Sequence, residues 1–348
     1  VKILPHPLTL QFLKRCVAFW LGLSLLMLPW FVAPLFMGPV SDQDFWLVLE
    51  DKRRMLKSTE GTRRILLAGG SNVLFGVDSG LIEQATGRTV VNVAVVGPLG
   101  ARFILWYAER YAQAGDTIVL SLEYLPLEPD GSLADAACSY HEVYAFVGGV
   151  LNPLEKARFF LASGQKAAER LFHFVIGRTV RNKIYVRSCL NSHGDLVSHL
   201  QDSVKVPLRT SRLGGPPPGP MGQEFVDELN AFISRQKARG IDVVFSYPTM
   251  CQSYFEDYLP QFLKAQRILE DPVTGLQCPR LDQPTTFVYP DALYFDSVYH
   301  LHRQGRMQRS FTLGQEIQRA IGAPKGASLQ GGQNLLRAAE TLLRVSGQ

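Results

Sequence analysis

A serine set among glycines, and an aspartate and histidine near the far end of the chain, are the residues whose types and order suit chemistry. Gly69-Gly70-Ser71-Asn72 follows the apolar run Ile65-Leu66-Leu67-Ala68. Four apolar residues closed by two glycines suit a buried parallel strand ending in a sharp turn. Such a turn presents a hydroxyl beside unpaired backbone N–H groups, the setting of a serine nucleophile. The same pattern also suits a serine that only caps the segment after it. Nucleophilic catalysis further needs a base, a group that orients the base, and donors for an oxyanion. Of seven histidines, His300 and His302 lie in the loop before the last helical stretch, at the sheet edge where Ser71 would emerge, and His302 reads as structural. Asp296, four residues before His300, is close enough to meet it across one tight turn; Asp291 and Asp195 are the alternative carboxylates. Glu123, at a strand end, reads as a partner for backbone donors, and Asn191-Ser192-His193-Gly194-Asp195 reads as a polar turn. The pairs Cys138/His141 and Cys189/His193 are isolated and do not make a zinc site; neither a metal nor a cofactor is expected.

The elements that must position these residues alternate. Strands are predicted over 65–68, 89–96 and 117–123, with a short helix capped by Asp78 or Ser79 and ended by Gly87, and another over 101–114 ended by Gly115. Strand, helix, strand, helix, strand with short connections makes a parallel sheet through right-handed crossovers. The alternation stops over residues 126–220, an insertion with an aromatic-rich helical stretch at 154–175 and a Gly/Pro segment at 214–220. So long an interruption implies a lid or partner surface. Alternation resumes with a helix over 223–238, a strand over 241–247, a helix over 254–269, a short strand over 286–289 and a helix over 303–321. Residues 323–348 read as a tail holding one short amphipathic helix.

At 348 residues and 46% hydrophobic content the chain can bury a large core, and one catalytic-size domain with an appendage is the expectation. A net charge of +5 with scattered basic residues argues against nucleic acid as a partner. Residues 16–41 carry no charge, and 17–37 are long enough to cross a bilayer as a helix. Lys2, Lys14 and Arg15 precede this run and Asp42, Asp44, Glu50 and Asp51 follow it, so the positive-inside rule puts the following domain outside. The run is long for a signal peptide and lacks a small-x-small site, which favours a retained anchor. The divisions are therefore an anchor with a short stub over 1–41, a linker helix over 42–63, a catalytic domain over 64–322 and the tail. Outside the anchor, Cys138, Cys189, Cys251 and Cys278 allow three disulfide pairings or free buried thiols.

The order Ser71, Asp296, His300 resembles the SGNH (GDSL-like) hydrolase superfamily. Gly70-Ser71-Asn72 is similar to its first block, Asn92-Val93-Ala94-Val95-Val96-Gly97 to its second, and Tyr294-Phe295-Asp296-Ser297-Val298-Tyr299-His300-Leu301 to its last. Two positions depart from the pattern. Ser121-Leu122-Glu123-Tyr124 stands where many members have Gly-x-Asn-Asp, and Asp296 precedes His300 by four residues rather than three. Within the superfamily the chain looks most like the membrane-anchored branch with alginate-type O-acetyltransferases and the teichoic acid D-alanyl transfer protein. The resemblance implies a three-layer α/β/α sandwich on a parallel sheet, flavodoxin-like, behind a transmembrane helix. It implies Ser71, Asp296 and His300 as catalytic residues, with Gly70, Asn72, Asn92 and Gly97 for oxyanion or substrate. The implied function is O-acyl transfer, with acetyl as the group, to an exported or surface polysaccharide. The alternatives are a carbohydrate esterase using the same site and a non-catalytic assembly or glycan-binding subunit. The implied partners are the bilayer, through residues 16–40, and a membrane-bound O-acyltransferase or polysaccharide synthase. The implied location is the inner membrane, single-pass, with a periplasmic catalytic domain.

Overall fold

The computed structural model describes residues 7–36, 38–39, 41–124, 126–176, 183–201 and 222–322. The Gly/Pro segment 214–220 and the tail 323–348 with its short helix lie outside the described residues. In chain order the elements begin with α1 (Pro7–Phe36), α2 (Val48–Ser58), β1 (Arg64–Gly69), α3 (Ser71–Gly76), α4 (Ser79–Thr86) and β2 (Thr89–Asn92). Next come α5 (Gly100–Tyr111), β3 (Thr117–Ser121), α6 (Gly131–Ala137), α7 (Val143–Val150) and α8 (Pro153–Val175). The last are α9 (Gln223–Ala238), β4 (Asp242–Phe245), β5 (Met250–Cys251), α10 (Gln252–Asp257), α11 (Leu259–Leu269), β6 (Val288–Tyr289) and α12 (Arg303–Ala320). They fall into two compact units, one of Val1–Leu47 with Gly131–Arg181 and the other of Val48–Asp130 with Asn182–Gln348. So α2 belongs to the sheet-containing unit, and the expected insertion is divided between the two.

The larger unit is mixed α/β, built on a four-stranded parallel sheet of order β2-β1-β3-β4. Every residue of β1 and β3 is buried, which is why both read as apolar runs rather than alternating ones. At the foot of β1 the exception is charged: Arg64 donates to Asp116 (Nη2 to Oδ2, 2.6 Å), with both side chains fully buried. Its remaining donors reach the carbonyls of Leu56 and Tyr111, so the guanidinium ties α2, α5 and the start of β3 to the sheet. Asp78 caps α4 by accepting from Leu81 N, and Gly87 ends it in the left-handed region (φ 66°).

Three local readings change. The helix expected over 254–269 is two, α10 and α11, with Pro260 in the first turn of the second, where its missing N–H costs nothing. Strand β2 stops at Asn92, yet Val93 N and Val95 N still donate to Leu67 O and Gly69 O, so the chain follows β1 beyond the end of the strand. Ser71 does not sit in an open turn but begins α3.

The smaller unit holds α1, α6, α7 and α8. Among the described residues one helix, α1, is long and apolar enough to cross a membrane, and none of its 18-residue apolar window is buried. α8 packs against both α1 and α6. Arg170 of α8 donates to Asp44 Oδ2 (2.9 Å) and Asp135 Oδ1 (2.9 Å), and Trp46 Nε1 donates to Asp135 Oδ2 (2.7 Å). All five cysteines are free, so none of the three disulfide pairings forms; burial raises the Cys138, Cys189, Cys251 and Cys278 thiols above their ordinary range.

Candidate functional site

The site is assembled by strand register. Gly69 of β1 is paired with Ser121 of β3. Ser71 and Glu123 each lie two residues further on, so adjacent parallel strands deliver them side by side. Ser71 Oγ donates to Glu123 Oε1 (3.0 Å), and Asn72 N donates to the same oxygen (2.6 Å). Glu123 is 1% exposed, and its Oε2 has no hydrogen-bond partner among the described residues. The two glycines are required by contact rather than by dihedral angle. A Cβ on Gly69 would collide with Ser121 O and lie 2.6 Å from Val73 Cγ2; one on Gly70 would collide with Glu123 Oε2 and lie 2.6 Å from its Cδ.

Beneath the serine the turn is clamped from inside. Arg309 of α12, wholly buried, donates to Asn72 O (2.6 Å), Asn72 Oδ1 (2.9 Å) and Ser121 Oγ (3.0 Å). Its guanidinium also lies over the Phe287 ring at 5.3 Å. Among the described residues no carboxylate forms an ion pair with it, and burial lowers its pKa from the usual arginine value. Asn72 Nδ2 donates to Ser121 O (2.9 Å), so both ends of that amide are engaged within the fold. On α3 only Ser71 is not buried.

His300 comes from the loop before α12. Tyr294 and Leu301 form an antiparallel bridge, and Phe295 N donates to His300 O (2.8 Å), closing a loop that brings Asp296 back to the edge of the ring. Asp296 Oδ1 lies 2.6 Å from His300 Nδ1. A proton held on Nδ1 towards the carboxylate leaves Nε2 able to accept one. The imidazole stacks flat on Phe75, centroids 3.9 Å apart and planes 4° apart. Phe75 lies one helical turn after Ser71 on α3, so the stack brings the Asp-His pair to the serine-bearing helix. Among the described residues Ser71 Oγ makes no hydrogen bond to a histidine; its proton is directed to Glu123. Phe75 also meets buried His199 (5.0 Å), whose Nε2 donates to Leu301 O (3.0 Å) and whose pKa burial lowers to about 4. Tyr299, beside His300, is pushed well above the ordinary phenol value by burial first, then by Tyr254 and Glu123.

The other sequence-named residues fall as follows. Gly97 opens a short 3-10 turn, Gly97–Leu99, two residues beyond the Val95 N to Gly69 O bond. Asn92 is set lower, opposite Leu67, and its Nδ2 donates to Asp195 Oδ1 (2.9 Å). Asp195 also accepts from Ser79 N and Oγ, Asn191 Nδ2 and Arg306 Nη2, an internal knot apart from His300. Asp291 Oδ1 accepts from Ser253 N, and His302 supplies the backbone N-cap of α12. Among the described residues no group of three or more His, Cys, Asp or Glu side chains could hold a metal ion.

Glu123 is the residue that the sequence reading undervalued. Its signal was position: it stands two residues past the end of β3, as Ser71 does past β1. Comparison of the chain with family models, curated proteins and solved structures finds no match.

Proposed function

We propose that the chain is a cell-envelope serine O-acyltransferase on a three-layer α/β/α domain, working through an acyl-Ser71 intermediate on exported or surface polysaccharide. The observation that carries the reading is the face-to-face stack of His300 on Phe75, with Asp296 on its Nδ1, against the helix whose one side chain that is not buried is Ser71. In the proposed step Ser71 Oγ turns from Glu123 to His300 Nε2. It gives up its proton there as it bonds to the acyl carbon, and His300 returns that proton to the departing donor oxygen. The sugar hydroxyl then repeats the exchange in reverse. Backbone N–H groups of Ser71 and Gly97 are assigned to the oxyanion. With water as acceptor the same site would be an esterase.

A non-catalytic glycan-binding subunit is the second reading, and one observation favours it. The position where the resemblance calls for an oxyanion-donating asparagine holds the acceptor Glu123, and the serine proton already points at it.

Labelling of the full chain in detergent with a fluorophosphonate separates them. Acyl transfer requires wild type to label at Ser71, Ser71→Ala to stay blank, and His300→Ala to label about 100-fold or more slowly. A wild type that does not label overturns both enzymatic readings. Release of acetyl from a chromogenic ester, to an oligosaccharide or only to water, then distinguishes transferase from esterase.

A further inference from the structure

α8 carries two faces of opposite character. Leu154, Leu161, Phe172 and Val175 fall within about 60° of one line on a helical projection at 100° per residue. With Leu171 beside them they are 54–74% exposed. The inner face is engaged: Phe159, Ser163 and Ala167 are buried, and Arg170 is held by Asp44 and Asp135. Two more charges are held within the unit, Lys156 by Gly148 O and Lys166 by Glu169. Arg158, exposed, flanks the apolar line.

A large, exposed apolar stripe on a helix whose opposite face is packed marks a surface that something covers. Six charged residues in 23 argue against α8 spanning a bilayer. An apolar stripe flanked by an arginine is instead the pattern of a helix lying in the interface, with its cation at headgroup level. The occupant follows from packing. α8 lies against α1, whose own side chains are exposed along the apolar window, so whatever surrounds α1 adjoins α8.

We propose that the outward face of α8 lies in the membrane interface beside α1, with lipid acyl chains covering Leu154, Leu161, Phe172 and Val175. The proposal rests on α1 being the anchor, and its test reads the two separately. In a Cys16→Ser, Cys278→Ser background, nitroxides are placed singly by Leu21→Cys (α1), Leu161→Cys and Phe172→Cys (α8), and Lys57→Cys (α2, exposed). The full chain is reconstituted in phosphatidylcholine–phosphatidylglycerol vesicles, and collision rates with oxygen and with a water-soluble nickel chelate are compared.

The expected result is a several-fold excess of oxygen over nickel collisions at 161 and 172, as at 21, and the reverse at 57. Lipid-like values at 21 with nickel-accessible labels at 161 and 172 overturn the α8 proposal and leave the anchor standing. Nickel access at 21 overturns the anchor and the α8 proposal with it. Labels at 161 and 172 shielded from both reagents mean that protein, a second copy or another membrane protein, covers the face, and also overturn it.

Discussion

Replacing Gly70 by alanine tests whether Glu123 dictates the turn that carries Ser71. The backbone at Gly70 has φ −90° and ψ −150°, extended and open to alanine, so any cost is steric. The new methyl would occupy the place of the Glu123 carboxyl, 2.6 Å from Cδ and 2.7 Å from Oε1. Overpacking of this kind costs about 1–3 kcal/mol. Pushing the carboxyl aside also strands the buried Asn72 N–H, about 1–3 kcal/mol more, whereas half-buried Ser71 can turn to water. Gly70→Ala should therefore destabilise by about 2–6 kcal/mol, and Glu123→Ala, which strands the same N–H, by about 1–3 kcal/mol. In the double variant the collision is gone and the stranded donor is counted once, so its cost should match that of Glu123→Ala alone. The coupling is then at least about 2 kcal/mol, well outside the scatter of additive pairs. Urea unfolding of the full chain in detergent, followed by circular dichroism and tryptophan fluorescence, measures the cycle. A double variant destabilised by the sum of the single effects would refute the argument.

Other consequences are open to measurement. His199 protonates near pH 4 in the folded state against 6.5 ordinarily. The unfolded chain therefore binds the proton first as pH falls, and stability that is complete above pH 6.5 should drop by about 3 kcal/mol on acidification through pH 4. The loss should be absent in His199→Gln, whose amide can still donate to Leu301 O; an unchanged urea-midpoint profile would contradict this. Arg309→Met removes the donors to Asn72 O, Asn72 Oδ1 and Ser121 Oγ and should cost about 1–3 kcal/mol through the stranded acceptors, with Arg309→Lys between it and wild type. If Arg309→Met unfolds at the wild-type urea concentration, the clamp does not hold the turn.

The parallel sheet was legible because β1 and β3 are buried on both faces and read as unbroken apolar runs; the helix at 223–238 was legible from its glycine stop. The division of α10 from α11 was less so, because apolar spacing carries across Tyr258 and only Pro260 marks the restart. In the site, Ser71, Asp296 and His300 could be named from type and order, but what Ser71 touches could not. That depends on the register between β1 and β3, a long-range pairing that no local pattern encodes. Buried cations were missed for a related reason. Lys52, Arg64, Arg306 and Arg309 count towards a net charge of +5, yet all four lie inside. Sequence places a lysine or arginine at the surface unless its partners are known, and Lys52 finds its own in Asn92 O and Gly194 O.

The bond from Ser71 to Glu123 sets a throttle on any chemistry the serine performs. A hydrogen bond of about 1–2 kcal/mol must be surrendered before the hydroxyl can swing to His300, leaving the attack-ready rotamer outnumbered by roughly five- to thirty-fold. Replacing Glu123 would remove that restraint and leave His300 and Asp296 as they are, so the acyl transfer proposed above would carry the same factor as a cost of holding the serine in place.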